Sequence, residues 1–305
     1  MLLFRELGDQ WALAHPLCDL ALRTWDEGRL HEAVALIWEY LAIFRQLRSL
    51  GGVPMALNYL SFMAAGIGDF ATAAQAAQEK AEIEASRGLP IDRAYGLHSL
   101  AYVQLVQGNL AQACALCTEA LAHAQEGSDD AFVAETLYHL GLVALYEERL
   151  DEAAGRLNES RRLGGGAERP WLEERTIFAL GQVAARRGEY AAALALMQES
   201  LAHLQEVRPQ IPARLEGLAQ VWLGLDRVER AVTLLGATHR LREEMGCPLF
   251  PVEQPGHTQT LASLRARLDG AAFAEAWDAG RAMSAEQAIA CALGDGAPVR
   301  PEENV

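Results

Sequence analysis

The chain has almost no lysine. Of its 26 basic residues only Lys80 is one, set in Gln-Glu-Lys-Ala-Glu with no glycine-rich strand exit before it. A Walker loop needs a glycine-rich turn followed by lysine, so that mode of phosphate binding is excluded. Positive charge is scarce overall. A formal charge of −15 argues against a nucleic-acid surface. Long apolar runs are missing too, as is the basic-then-apolar start of a secretory signal, so the reading is a soluble cytoplasmic protein with no membrane partner. Cysteine is limited to Cys18, Cys114, Cys117, Cys247 and Cys291. An odd count at scattered spacing is no disulfide framework and fits a reducing cytosol.

Catalytic motifs are equally thin. The eight histidines (residues 15, 31, 98, 123, 139, 203, 239 and 257) form no His-Glu-x-x-His pair, and no Gly-x-Ser-x-Gly occurs. Cys114 and Cys117 make a C-x-x-C, but a structural zinc site needs a second pair and the sequence has none. Cys117 also falls in the apolar slot that Ile37, Ala77, Leu157 and Met197 occupy elsewhere, so both read as small core residues. The carboxylate pairs Glu147-Glu148, Asp151-Glu152 and Glu173-Glu174 sit near helix starts or turns, where solvated end charges account for them. The expectation is no enzyme, no cofactor and no metal.

What the sequence has is a period. Leu20, Leu60, Leu100, Leu140 and Leu180 stand forty residues apart, as do Ala33, Ala73, Ala113, Ala153 and Ala193. Gly28, Gly68, Gly108 and Gly188 hold the turn between, with Glu148 in the fourth copy. A sixth copy arrives two residues early with Leu218 and Ala231. A small residue follows the leucine each time: Ala21, Ser61, Ala101, Gly141, Gly181 and Ala219. Within each unit, apolar residues recur at three and four among strong helix formers. The glycine marks where a first helix stops and the chain reverses. Gly51-Gly52, Gly88, Gly127 and Gly164 to Gly166 are expected to close the second helices, the last run being the most flexible link. Pro54, Pro90, Pro170 and Pro212 open the next first helices.

This leucine-small, glycine, alanine skeleton resembles the tetratricopeptide family in an elongated, roughly forty-residue form. The resemblance implies an all-α, right-handed helical-repeat solenoid with a C-terminal helical cap. The expected divisions are a repeat solenoid over 1–246 (a half repeat at 1–9, then six hairpins), a capping segment over 247–294 and a disordered tail over 295–305. The half repeat rests on Phe4, Arg5 and Leu7, which lie forty residues before Phe44, Arg45 and Leu47. Met1 then falls inside a second helix whose first is missing, as in the C-terminal part of a longer protein or ancestor. The alternative is a lone capping helix over Met1 to Gly8.

From Ala231 the character changes. The pieces Ala231 to Ala237, Leu241 to Leu249 and Ala272 to Ala288 resemble the tail of large bacterial STAND-type ATPase regulators, LuxR-type regulators among them. That resemblance implies a sensor or interaction role in a signalling protein; the ATPase and DNA-reading modules of those proteins are absent from this sequence. Pro248, Pro251 and Pro255 predict an extended crossing after Gly246. Helices are expected around Thr258 to Leu268 and Ala271 to Ala279, then a last short one capped by Ser284 with Gln287. Phe273 and Trp277, four apart, are expected as core anchors.

In tetratricopeptide arrays the first helices line a groove. The slots beside the repeat leucine and one turn earlier bring together Phe62, Tyr95, His98, Tyr102, Tyr138 and Phe178, with Glu135 and Arg175 beside them. Aromatics with polar tips give contact area and a hydrogen bond at low entropic cost. The candidate ligand is a protein or peptide partner, or a small-molecule inducer. Packing between hairpins is the competing role for several of the eight. The preferred reading is a non-catalytic interaction or sensing module of a bacterial regulator, and the alternative a free-standing adaptor that scaffolds a protein complex.

Overall fold

The computed structural model describes residues 10–164, 170–202 and 208–294. Among them are fifteen α-helices, a 3-10 turn at Arg208–Gln210 and no strand. The protein is an all-α helical-repeat solenoid. The expected half repeat and the C-terminal tail lie outside the described residues. The chain forms two compact units, Met1–Glu173 with Met245–Glu253, and Glu174–Glu244 with Gln254–Val305.

The first unit holds four hairpins. They are α1 (Gln10–Asp26) with α2 (Leu30–Gln46), α3 (Gly52–Gly66) with α4 (Phe70–Ser86), α5 (Pro90–Val106) with α6 (Leu110–Glu126), and α7 (Asp130–Tyr146) with α8 (Leu150–Gly164). Every first helix ends in the same two hydrogen bonds. In the second hairpin Gly68 N–H donates to Ala65 O and Asp69 N–H to Ala64 O, and the pattern recurs at residues 28, 108 and 148. This Schellman closure satisfies carbonyls that a helix end leaves orphaned, and it needs a left-handed residue. Gly68 supplies it at φ 81°. Glu148 adopts φ 59° without being glycine.

The repeat alanines 33, 73, 113, 153, 193 and 231 are all fully buried. Opposite them, the small residue after the repeat leucine is matched to the bulk it faces. A Cβ on Gly141 would stand 2.7 Å from Leu157 Cγ, and one on Gly181 would stand 2.8 Å from Met197 Cγ. Where the facing residue shrinks to Cys117, Ala101 suffices, and the two pack in one buried cluster. Burial pushes the Cys117 thiol up to about 12, so it is an inert core residue.

Gly88, at φ 77°, closes α4 as expected, but two other second helices close differently. Gly51-Gly52 does not end α2; Arg48 takes the left-handed position at φ 49° and Gly52 begins α3. Gly52 is required by packing, since a Cβ there would meet the Phe44 ring at 2.3 Å. Likewise Gly127 is an ordinary right-handed cap and Ser128, at φ 56°, turns the chain.

The second unit takes in α9 (Pro170–Arg186) from Glu174 on, α10 (Tyr190–Ala202), α11 (Ile211–Gly224), α12 (Val228–Met245), α13 (Gln254–Arg265), α14 (Gly270–Arg281) and α15 (Ala285–Leu293). Arg214, buried on α11, grips Glu174 with two bonds of 3.0 and 3.1 Å, and Ser200 donates to the same carboxylate. Ser284 and Gln287 form the full capping box of α15, and Trp222 Nε1 donates to Ala292 O at 3.3 Å. Phe273 and Trp277 share a face, stacked at 5.9 Å, but are only half-buried.

Candidate functional site

The first helices of unit 1 carry a ladder of rings, one from each hairpin. Trp25 lies 5.6 Å from Phe62, Phe62 5.4 Å from Tyr102, and Tyr102 6.2 Å from His139. Phe62 and Tyr102 are equivalent positions forty residues apart on stacked hairpins, whereas Trp25 and His139 join the row from other slots of the repeat. A second file runs beside it. Tyr95 and His98 both meet Phe132 in T-shaped contacts, at 4.4 and 5.1 Å, and Tyr138 meets His139 at 5.1 Å.

Beneath the rings lies a polar layer that ties hairpin to hairpin. His98 Nε2 and His139 Nδ1 are 2.9 Å apart, with Glu135 Oε1 3.7 Å from His98. Tyr95 donates its hydroxyl to Asp129 at 2.8 Å. Lys80, buried on α4, donates to Tyr95 O at 2.6 Å and to Ser99 Oγ at 2.9 Å, and Ser99 lies 3.1 Å from Asn58 Oδ1. Burial pulls the Lys80 amine below its usual range, against the opposing pull of Glu84. Burial likewise raises the Glu84 carboxyl, with Lys80 acting the other way.

The structure brings six of the eight expected residues together in unit 1. Phe62, Tyr95, Tyr102 and Glu135 are half-buried, while His98 and Tyr138 are buried between hairpins. Arg175 and Phe178 belong to the second unit. Phe178 is buried there under the Arg214 guanidinium, 4.1 Å from its ring, with Gly217 against its other contacts. Trp25, Phe132 and His139 were not among the expected residues. His139 falls one place after the slot that holds Tyr138, so the period alone does not select it. Lys80 carried a signal of another kind: a lone lysine four residues before Glu84.

Among the described residues, no group of three or more histidine, cysteine or carboxylate side chains is placed to hold a metal ion. No described helix is long and apolar enough to cross a membrane. An open cleft of about 540 Å³ lies over α4 to α6, lined by Gln75, Gln78, Glu82, Gln104, Gln112 and Leu116 among others. None of the eight expected residues lines it.

No protein-family model and no curated protein matches the chain. Solved structures do. A tetratricopeptide repeat protein from Parabacteroides merdae is 13% identical over 88% of this chain and 98% of its own, at a TM-score of 0.43. A candidate kinesin light chain from Podosopora anserina, with nearly identical TPR-like repeats, is 16% identical over 75% of this chain and 94% of its own, at a TM-score of 0.37. Neither likeness carries a function to this chain.

Proposed function

We propose that this protein is a non-catalytic repeat module that captures a protein or peptide partner along the first helices of unit 1. The observation that carries the reading is the ring ladder Trp25, Phe62, Tyr102, His139, in which Phe62 and Tyr102 keep part of their surface in solvent. Rings held by their neighbours give contact area with little rotamer entropy left to lose. The buried files under them, His98–His139 and Lys80–Ser99–Asn58, supply a fixed bed.

The finer reading follows the tail. Ala231 to Ala237, Leu241 to Leu249 and Ala272 to Ala288 resemble STAND-type regulators, so the module is proposed to be the sensing part of such a cytoplasmic regulator, receiving a partner or a small-molecule inducer. The test of binding uses full-length chain as bait in extract of its source cells. Tyr102→Ala and Phe62→Ala lose the captured partner, whereas Trp38→Ala, at an exposed second-helix position, keeps it, with helicity equal in all three. Equal capture by every variant overturns the reading. The regulator context is tested by the mass of the native polypeptide, probed with antibody against Ala231 to Ala288. A band well above 33.2 kDa supports it; a band at that mass favours the free-standing adaptor.

A further inference from the structure

The contact between His98 and His139 ties the third hairpin to the fourth, and it has room for one proton. His98 Nε2, on α5, stands 2.9 Å from His139 Nδ1, on α7, and both rings are buried. At that distance one nitrogen donates and the other must offer a lone pair. Glu135 puts two further acceptors beside them. Its carbonyl oxygen lies 3.1 Å from His139 Nδ1, and its Oε1 lies 3.7 Å from His98 Nε2. A proton on both nitrogens leaves two N–H groups facing each other, and each ring must then turn from the other toward its own oxygen of Glu135.

The surroundings balance one positive charge and not two. From α7 the pair is faced by the Glu135 carboxylate and by Tyr138, which meets His139 at 5.1 Å. From α5 come Tyr102, 6.2 Å from His139, and Tyr95, which shares Phe132 with His98 and gives its hydroxyl to Asp129 at 2.8 Å. From α4, Lys80 lies within electrostatic reach of Glu135 and is paired with Glu84 at 3.1 Å. With Asp129 and Glu84 engaged in this way, the carboxylate that faces the pair is that of Glu135, one charge against two. Two imidazolium rings in contact at a buried position repel each other far more than they would in water.

We propose that the His98–His139 contact is a proton-gated joint of the ring ladder: it holds α5 to α7 while the facing nitrogens share one proton, and it parts when acid supplies the second. His139 is the fourth ring of the ladder and touches Tyr102, so parting breaks that step and releases a partner held along the rings. The release rests on the ladder being the binding surface; the joint itself does not. An ordinary histidine takes up its proton near about pH 6.5. Below that, the parted joint holds one proton more than the closed one, so each unit of pH shifts the balance toward parting by about tenfold. Glu84 works in the opposite sense, because burial raises its carboxyl and its protonation favours the folded state as pH falls.

Hydrogen exchange of the full chain, corrected for the intrinsic rate, reads the joint. Protection of the α5 and α7 amides, relative to those of α1 and α2, falls by about tenfold from about pH 6 to about pH 5. His98→Gln keeps a side-chain donor and acceptor but takes no proton, and it abolishes that fall. Ring spectra of the unaltered chain, labelled with nitrogen-15 at histidine, need no variant: the contact between the two rings disappears as the second gains its proton. Constant protection, an equal fall in His98→Gln, or two doubly protonated rings still in contact overturns the joint. Partner capture is then compared at neutral and acid pH. The unaltered chain releases the partner in acid and His98→Gln retains it; retention by both, or release from both, overturns the gating. A chain that captures nothing at neutral pH overturns the binding surface instead, and the joint still stands or falls by its exchange and ring spectra.

Discussion

The carbonyl oxygen of Thr233 fills the space where a Cβ on Gly280 would be, 1.9 Å from that point. Elsewhere along the same crossing, Trp277 O stands 2.3 Å from the equivalent point on Gly236. Helices α12 and α14 therefore meet backbone to backbone, and neither position has room for a methyl group. Gly280→Ala must force the two apart, an overpacking cost of about 3 kcal/mol or more. Urea unfolding followed by tryptophan fluorescence measures it. Gly270→Ala, where a Cβ meets nothing within 4 Å, leaves the midpoint unchanged or slightly raised. Equal midpoints for the two variants would contradict the crossing.

Glu148 holds a left-handed turn that glycine holds in four of its sister copies. The strain on an L-residue there is roughly 1–2 kcal/mol. Glu148→Gly accordingly raises stability, by about 1 kcal/mol. In the other direction, Gly188→Ala costs a similar amount, because φ is 78° and the space is open. Gly68→Ala costs more than Gly188→Ala, since Pro248 occupies the added volume. The order of the three melting temperatures checks both the turn geometry and the Pro248 contact on Gly68.

Lys80 is the only lysine in the chain and it is buried. Glu84 Oε2 lies 3.1 Å from its amine, one turn on, and this ion pair is what holds that buried oxygen. Replacing Lys80 with Met strands the carboxyl and removes one hydrogen bond each from Tyr95 O and Ser99 Oγ, a loss of about 3–5 kcal/mol. Combining Lys80→Met with Glu84→Gln recovers part of it, because the orphaned charge is gone. Denaturant unfolding of the two single variants and the double gives the coupling directly.

Glu216 gives unit 2 an acid limit. Burial alone would raise its carboxyl, but the hydrogen bond with His257 and the Arg242 guanidinium at 3.1 Å outweigh burial and hold it below its ordinary value. A carboxyl depressed in the folded state contributes stability that is fully present above its ordinary value of 4.5 and lost as pH falls through the depressed one. The unfolding free energy therefore falls below about pH 4.5, and Glu216→Gln flattens that part of the profile while lowering stability at pH 7. A profile of unchanged slope would mean that other carboxylates set the acid limit.

The helices, the hairpins and their order were already written in the chain. Helix propensity, the spacing of leucine and alanine, and the turn glycine are local properties, and repetition reads them out again every forty residues. Even the pairing of Gly141 with Leu157 is legible once the period is known, because small faces large across a fixed hairpin. The capping box at Ser284 is local too. The site was legible only in part. Phe62, Tyr95, His98, Tyr102, Glu135 and Tyr138 fell in periodic slots and do come together, yet His98 and Tyr138 lie buried among neighbours that the period does not select.

The rest came from packing, because it turns on contacts between residues with no fixed separation in sequence. His98 meets His139 rather than its register mate Tyr138, since rotation about the helix axis sets which ring faces across. Pro248 rests on Gly68, and Val252 on Gly108, a match of segments far apart in sequence. No local pattern carries that match. Gly236 and Gly280 read in the sequence as ordinary helix glycines. They became indispensable only when α12 and α14 crossed close enough for backbone to touch backbone.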